Sequence, residues 1–411
     1  MASGQVWLGL FLAAIGAVAG APSILLVGIL VVLVAFLRRL WSRFGLRDVE
    51  YERRLASDRA VWGDEIPLEV TVWNRKLLPL PWLRAEDYVP EEMRIRGRQL
   101  SRADRPGLAI FDNTWSLAWY ERVTRRFHVV ADRRGVFRLG SVRLTVADLF
   151  ARETAEEERS RPAVYVVRPR SLPVQERVPE RAAMGERVAP ASLFQDPALF
   201  AGVRPYQPGD PLRQVHWKAT ARTGQIVVKR FDPSRQRELV LAVDVQTMEG
   251  PYWMMTYDEQ VFEGLCVAAA SLARRSLGEG AACGLLAAAF AGTPRPVLWI
   301  PPSAGPGQLG RITDALARVS PGASAPYADV LASLPRRVGP GATIVALSGR
   351  DPGTYVTVLR RLARVGYGVQ LVAMGPDAAA LVRSARGHGV PAMTAVLAPD
   401  WRTSDALVVG A

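Results

Sequence analysis

Cysteine, histidine and lysine are all scarce in this chain. Its 411 residues include two cysteines, Cys266 and Cys283, and three histidines, His128, His216 and His388. Two thiols exclude a disulfide framework and a thiolate metal centre, and both lie in apolar runs that read as core. Histidines so far apart give no local nucleophile–base constellation, and no P-loop lysine motif is present. The chain is therefore not expected to be an ATPase or any other enzyme, and no cofactor is expected.

Only three lysines, Lys76, Lys218 and Lys229, stand among 52 basic residues. With Ala and Gly abundant, that preference for arginine reads as coding bias. The net charge of +13 is then weak grounds for nucleic acid, and no zinc-finger spacing, RNA-binding motif or basic–aromatic ladder accompanies it. Anionic phospholipid or an acidic protein surface accounts for the charge as well.

Charge is missing altogether from Val6 to Leu37, 32 residues that would span roughly 48 Å as one helix, against a hydrocarbon core of roughly 30 Å. Gly20-Ala21-Pro22-Ser23 lies at the midpoint, and proline there favours a break. The expectation is a transmembrane helical hairpin within residues 1–45; one long tilted span is the alternative. No positive charge precedes the apolar run, which argues against a cleaved signal peptide. Arg38, Arg39, Arg43 and Arg47 follow it, so the positive-inside rule places the bulk of the chain on the cytoplasmic side of the cell membrane.

Residues 46–170 have the texture of short strands. Val49–Arg53 and Ile66–Trp73 alternate, and Phe127–Val130, Val136–Leu139 and Val142–Val146 continue the pattern. A β-sandwich-like module follows from this, with Asp132–Gly135 as a hairpin connection and Ala151–Arg161 as an acidic linker. Pro79–Trp82 and Trp115–Tyr120 read as core or sheet-edge aromatics, with a peptide groove as the other reading. Residues 171–237 form a connector, of which Leu172–Phe200 is irregular.

From Glu238 onward, strand and helix patterns alternate: Leu239–Val245, Asp258–Leu277, Ala282–Phe290, Val297–Ile300, Gln308–Val319, Tyr327–Arg337, Thr343–Leu347, Tyr355–Val365, Val369–Met374, Ala378–Arg386 and Val390–Leu397. Residues 238–411 should fold as a doubly wound α/β sheet. Gly305-Pro-Gly307-Gln-Leu-Gly310 matches G-x-G-x-x-G, but its prolines and its position away from the first strand–helix unit favour a surface loop over a dinucleotide site.

The most distinctive stretch is Arg204–Asp232. Asp210 and Pro211 read as a helix cap and first turn, Leu212, Val215 and Ala219 as its buried stripe, and Gly224 as its left-handed end. Gln225–Phe231 reads as a strand. Between Arg204 and Arg237 eight basic residues face two aspartates, nearly half the chain's excess charge.

Arg204-Pro-Tyr206, Pro208-Gly209-Asp210-Pro211-Leu212-Arg213, Val215-His216-Trp217-Lys218-Ala219-Thr220-Ala221-Arg222 and Gly224 together resemble the signature of the domain of unknown function 58 family. The resemblance implies a membrane-anchored bacterial protein with a von Willebrand factor A-like C-terminal domain, often encoded beside MoxR-type AAA+ ATPases. The leading expectation is a non-enzymatic adaptor or scaffold that presents Arg204, Tyr206, Gly209, Asp210, Arg213, His216, Trp217, Lys218 and Arg222 as a docking surface, with the ATPase or its client as partner. The runner-up is a cell-envelope hydrolase or transferase using His216 and Asp210. Domains of the von Willebrand type often hold a divalent cation through Asp-x-Ser-x-Ser. Here Asp244 is present but Gln246 and Met248 stand at the serine positions, a poor ligand set for a hard cation, so no working metal site is expected.

Overall fold

The computed structural model describes residues 2–147, 153–160, 162–177, 200–207, 215–231, 237–253, 256–289, 297–398 and 401–410. They fall into two units, Met1–Val167 and Arg168–Ala411.

The first unit begins with helices α1 (Ala2–Val18) and α2 (Pro22–Phe44). A break at residues 19–21 separates them, and Pro22 opens α2 at a position whose N–H needs no partner. Small residues let the two helices approach closely. A Cβ at Gly28 would sit 2.3 Å from the Ala13 backbone nitrogen, and one at Gly16 would sit 2.3 Å from that of Leu25. Among the described residues only α2 is long and apolar enough to cross a membrane; the 17-residue α1 is shorter.

The strands β1 (Val49–Leu55), β2 (Arg59–Val61), β3 (Glu65–Asn74), β4 (Leu80–Pro90), β5 (Arg94–Ile95), β6 (Ser101–Arg102), β7 (Leu108–Leu117), β8 (Arg122–Val130), β9 (Gly135–Leu139), β10 (Val142–Ala147), β11 (Glu153–Arg159) and β12 (Ala163–Arg168) follow. They form sheets β1-β3-β8-β5, β11-β10-β4-β7-β6 and β2-β12-β9. Alternation along β3 and β7 turns Ile66, Leu68, Val70 and Val72, and Phe111, Trp115 and Leu117, into one shared core. Trp41 and Leu46, from the end of α2 and just beyond it, join that core. Trp41 Nε1 donates to the Pro79 carbonyl at 3.1 Å, and Arg159 Nη2 to that of Leu46 at 3.1 Å.

Two expectations here are corrected. Asp132–Gly135 does not close a hairpin: β8 pairs with β3 and β5, whereas β9 pairs with β12 in another sheet. The acidic stretch is largely strand rather than linker, since β11 pairs with β10 along Glu153–Arg159. Its charges suit an edge, where they discourage further strand addition, and Arg143 and Arg105 meet Glu156 and Glu158.

The second unit centres on an eight-stranded sheet made of β13 (Val174–Arg177), β16 (Glu238–Val243), β17 (Ala282–Ala287), β18 (Leu298–Ser303), β19 (Thr343–Ser348), β20 (Gly368–Ala373), β21 (Ala392–Val396) and β22 (Leu407–Gly410), while β14 (Phe200–Pro205) and β15 (Val227–Phe231) pair separately around helix α3 (Trp217–Thr223). The order is β13-β22-β21-β20-β19-β16-β17-β18. The central strands β17, β16, β19, β20 and β21 are parallel, and β18 and β22 are antiparallel to their inner neighbours.

Helices α4 (Glu259–Gly278), α5 (Gln308–Arg318), α6 (Tyr327–Ala332), α7 (Val356–Val365) and α8 (Ala378–Gly387) cover both faces. Leu239, Leu241 and Val243 pack with α4 and α5, and Val240 and Ala242 with α6, α7 and α8, which is why β16 reads as an unbroken apolar run. Cys266 and Cys283 are both buried, and burial pushes the Cys283 thiol up to about 12. At the G-x-G-x-x-G loop the Gln308 amide donates to the Cys283 and Pro301 carbonyls at 2.6 and 3.0 Å. The loop is thereby pinned to the sheet.

Candidate functional site

Two places carry the residues singled out above. The first is the β14–β15 hairpin with α3. Arg204 pairs with Val228 and Pro205 with Val227, and Tyr206 N donates to the Ile226 carbonyl at 2.9 Å. Val215 forms a bridge to Val228, and His216 N donates to the Val227 carbonyl at 2.8 Å.

The helix expected from Pro211 does not run that way. Val215 and His216 are outside it, and α3 starts at Trp217. His216 supplies the cap: its Nδ1 accepts the Ala219 N–H at 3.0 Å, satisfying one of the donors a helix leaves open at its start. Gly224 closes the helix with φ +68°, its N–H returning to the Thr220 carbonyl as anticipated. Thr220 Oγ1 accepts the Val227 N–H at 3.2 Å and so ties the helix to the strand.

No residue of α3 is buried. Trp217 is 66% exposed, with Lys218 and Arg222 exposed beside it. An indole in water next to two cations has no packing role, which separates Trp217 from the many tryptophans that are core. Gly209, Asp210 and Arg213 lie outside the described residues, as does the cap proposed for Asp210.

The second place is the carboxyl end of β16. Its two neighbours lead away in opposite directions, β17 on one side and β19 on the other, so Asp244 stands at the switch point where open α/β sheets form a crevice. Asp244 is buried, and its Oδ2 accepts from Ser348 Oγ at 2.9 Å and from Arg350 Nε and Nη2 at 3.1 and 2.9 Å. Arg350 Nε also reaches the Gln246 carbonyl at 3.1 Å. Burial pushes the Asp244 carboxyl up to about 6, with the Arg350 guanidinium pulling it back down.

Gln246 does not face Asp244 with its side chain. Its amide donates to the Met248 and Gly250 carbonyls at 3.1 and 2.7 Å and shapes the loop. Thr247 Oγ1 accepts the Asp258 N–H at 2.8 Å. Two more carboxylates lie near this end: Asp351 caps the turn at Gly353 and receives Ser384 Oγ at 3.2 Å, and Glu249 accepts the Asp351 N–H at 2.9 Å. Among the described residues no three carboxylate, histidine or cysteine side chains converge as metal ligands. The positive charge beside Asp244 comes from Arg350.

Sequence reasoning missed Arg350 and the capping role of His216. A buried aspartate at the end of an apolar strand demands a compensating charge, and that demand was the signal available for Arg350. His216 carried a weaker one, because histidine is not among the favoured caps.

Residues 202–349 match the family described as Protein of unknown function DUF58. An uncharacterised protein of Bacillus subtilis (strain 168), YeaD, is 28% identical over 251 residues. The match takes in 60% of this chain, and the chain spans 57% of that relative. Among solved structures, the CARDB domain of a Pyrococcus furiosus protein in complex with di-metal ions is 18% identical, with 28% of this chain and 86% of that one covered and a TM-score of 0.18. A cohesin module from a Clostridium perfringens family 33 glycoside hydrolase is 9% identical, with 30% and 98% covered and a TM-score of 0.22.

Proposed function

Given that this chain carries a DUF58 region, we propose that it is a membrane-anchored adaptor whose cytoplasmic body docks a MoxR-type AAA+ ATPase or that ATPase's client. In this reading α1 and α2 form a transmembrane hairpin. The arginines that follow Leu37 hold the body on the cytoplasmic side of the cell membrane. The C-terminal sheet is a von Willebrand factor A-like domain, a reading supported by its parallel centre, its helices on both faces and an aspartate at the end of the central strand.

The observation that carries the docking role is the exposed Trp217 beside Lys218 and Arg222, on a helix with no buried residue of its own. Aromatic and basic side chains are the usual anchors of protein–protein contacts. The body therefore works by contact. In this reading His216 has a structural part, its Nδ1 capping α3 through the Ala219 N–H.

The test is a pull-down of the full chain in detergent with a purified MoxR-type AAA+ ATPase. Trp217→Ala combined with Lys218→Glu should reduce capture at least tenfold, as expected for loss of a contact worth about 1.4 kcal/mol or more. Full capture by a folded double variant rules the patch out.

A further inference from the structure

We infer that the Arg75–Pro79 and Ala118–Glu121 turns form an aromatic tip that dips into the headgroup layer of the same bilayer that holds α2. The inference rests on the membrane reading of α2 and adds a second point of contact to it.

The two turns are built as one piece. Asn74, buried at the end of β3, donates from Nδ2 to the Leu78 carbonyl at 3.0 Å and to the Ala118 carbonyl at 2.7 Å. Tyr120 N donates to the Lys76 carbonyl at 3.2 Å. Ala118 N donates to the Glu121 carboxylate at 2.6 Å. This frame displays three large side chains, Leu77 72% exposed, Trp119 64% and Tyr120 59%, with Arg75 and Glu121 exposed beside them. Tyr120 sits at φ +54°, a conformation that bulky residues rarely adopt, so the ring is held out at some cost.

The position of the tip identifies its partner. Pro79 receives the Trp41 indole N–H, and Arg75 N donates to the Asp48 carbonyl at 2.9 Å. The tip therefore adjoins the end of α2, where Arg39 and Arg43 emerge exposed after the apolar run. A membrane surface reached by that end of α2 lies beside Leu77. Tryptophan and tyrosine favour this depth because they have an apolar body and a polar edge. Arg75, ion-paired with Glu50, and Arg122 flank the tip, 4.7 and 5.8 Å from the Trp73 ring centroid, and Arg122 supplies the charge that anionic headgroups attract.

The opposite end of the module provides the control. Glu65 and Asn74 bound β3, about 30 Å apart at strand rise, and the exposed Glu92 precedes β5, which pairs beside Glu65 at Val130. Full-length Leu77→Cys, Glu92→Cys and Leu26→Cys proteins would each carry an environment-sensitive fluorophore in phosphatidylcholine–phosphatidylglycerol nanodiscs; both natural cysteines are buried. Phosphatidylcholine brominated high on its acyl chains should quench most of the signal at Leu77→Cys and Leu26→Cys and none at Glu92→Cys. Adding Trp119→Glu to Leu77→Cys should restore fluorescence. Quenching at Leu26→Cys without quenching at Leu77→Cys overturns the tip and leaves the anchor standing. No quenching at Leu26→Cys removes the anchor itself. A Leu77→Cys signal that ignores bromine but changes with the number of chains per disc assigns the tip to a second copy and also overturns the inference.

Discussion

Arg350 and Asp244 meet through one oxygen: Nε and Nη2 both donate to Oδ2, at 3.1 and 2.9 Å, and Ser348 Oγ takes the same atom. Both side chains are buried. A guanidinium therefore supplies, from within the chain, the positive charge that this carboxylate requires.

Removing one partner strands the other. Arg350→Ala should cost about 3–5 kcal/mol of stability, read as a lowered midpoint in denaturant unfolding of the detergent-solubilised chain. Replacing both residues together, Asp244→Leu with Arg350→Leu, should recover a large part of that loss, because a buried pair gives back little beyond its desolvation cost. Additive losses in the double variant would show that the pair is not a unit.

Lys76 makes a pH-dependent case. Its Nζ is buried without a hydrogen-bond partner among the described residues, and burial pushes its pKa from 10.5 down to about 8. Between those two values the unfolded chain holds a proton that the folded chain has released, so stability rises with pH across that window. Lys76→Met should raise the unfolding temperature at pH 7, and its advantage should shrink as pH climbs from about 8 towards 10.5. A constant advantage would mean that the ammonium is not the cause.

His216 as a cap predicts a local effect. His216→Ala should loosen α3 by about 1 kcal/mol, and His216→Asn should largely restore it. Trypsin cleavage after Lys218 and Arg222 would report this, faster in the alanine variant and close to the parent in the asparagine variant. Equal cleavage of all three proteins would dismiss the cap.

The α1–α2 contact predicts a steric failure. Any side chain at Gly28 meets backbone at 2.3 Å, which cannot swing aside as a side chain does. Gly28→Leu should separate the helices and lower the unfolding temperature in detergent, whereas Gly4→Leu, with nothing within 4 Å, should leave it unchanged. Matching temperatures for the two variants would refute close packing.

Much of the architecture was legible because periodicity reports burial. Ile66–Trp73 alternates and became β3, and Asp258 was read at the head of the helix that it caps as α4. Short edge strands were not legible. β13 and β22 are four residues each, and they pair across more than 200 residues of chain, so no local pattern announces them. β11 hid behind its charges, which mark an edge as readily as a linker. At the signature, Pro-Gly-Asp-Pro has the chemistry of a helix start, yet the strand bridge at Val215 takes precedence and postpones the helix to Trp217. The partner of Asp244 was hidden because side-chain pairing across 106 residues leaves no trace in spacing.

The passage from α2 into the strands has no slack. Trp41 and Leu46 are core residues of the sandwich, and Arg159 holds the Leu46 carbonyl from β11. The end of α2 is thereby packed into the sandwich, like a keel fixed to its hull. On the membrane reading proposed for α2, whatever sets its roll about its own axis also decides which flank of the sandwich looks along the plane of the lipid.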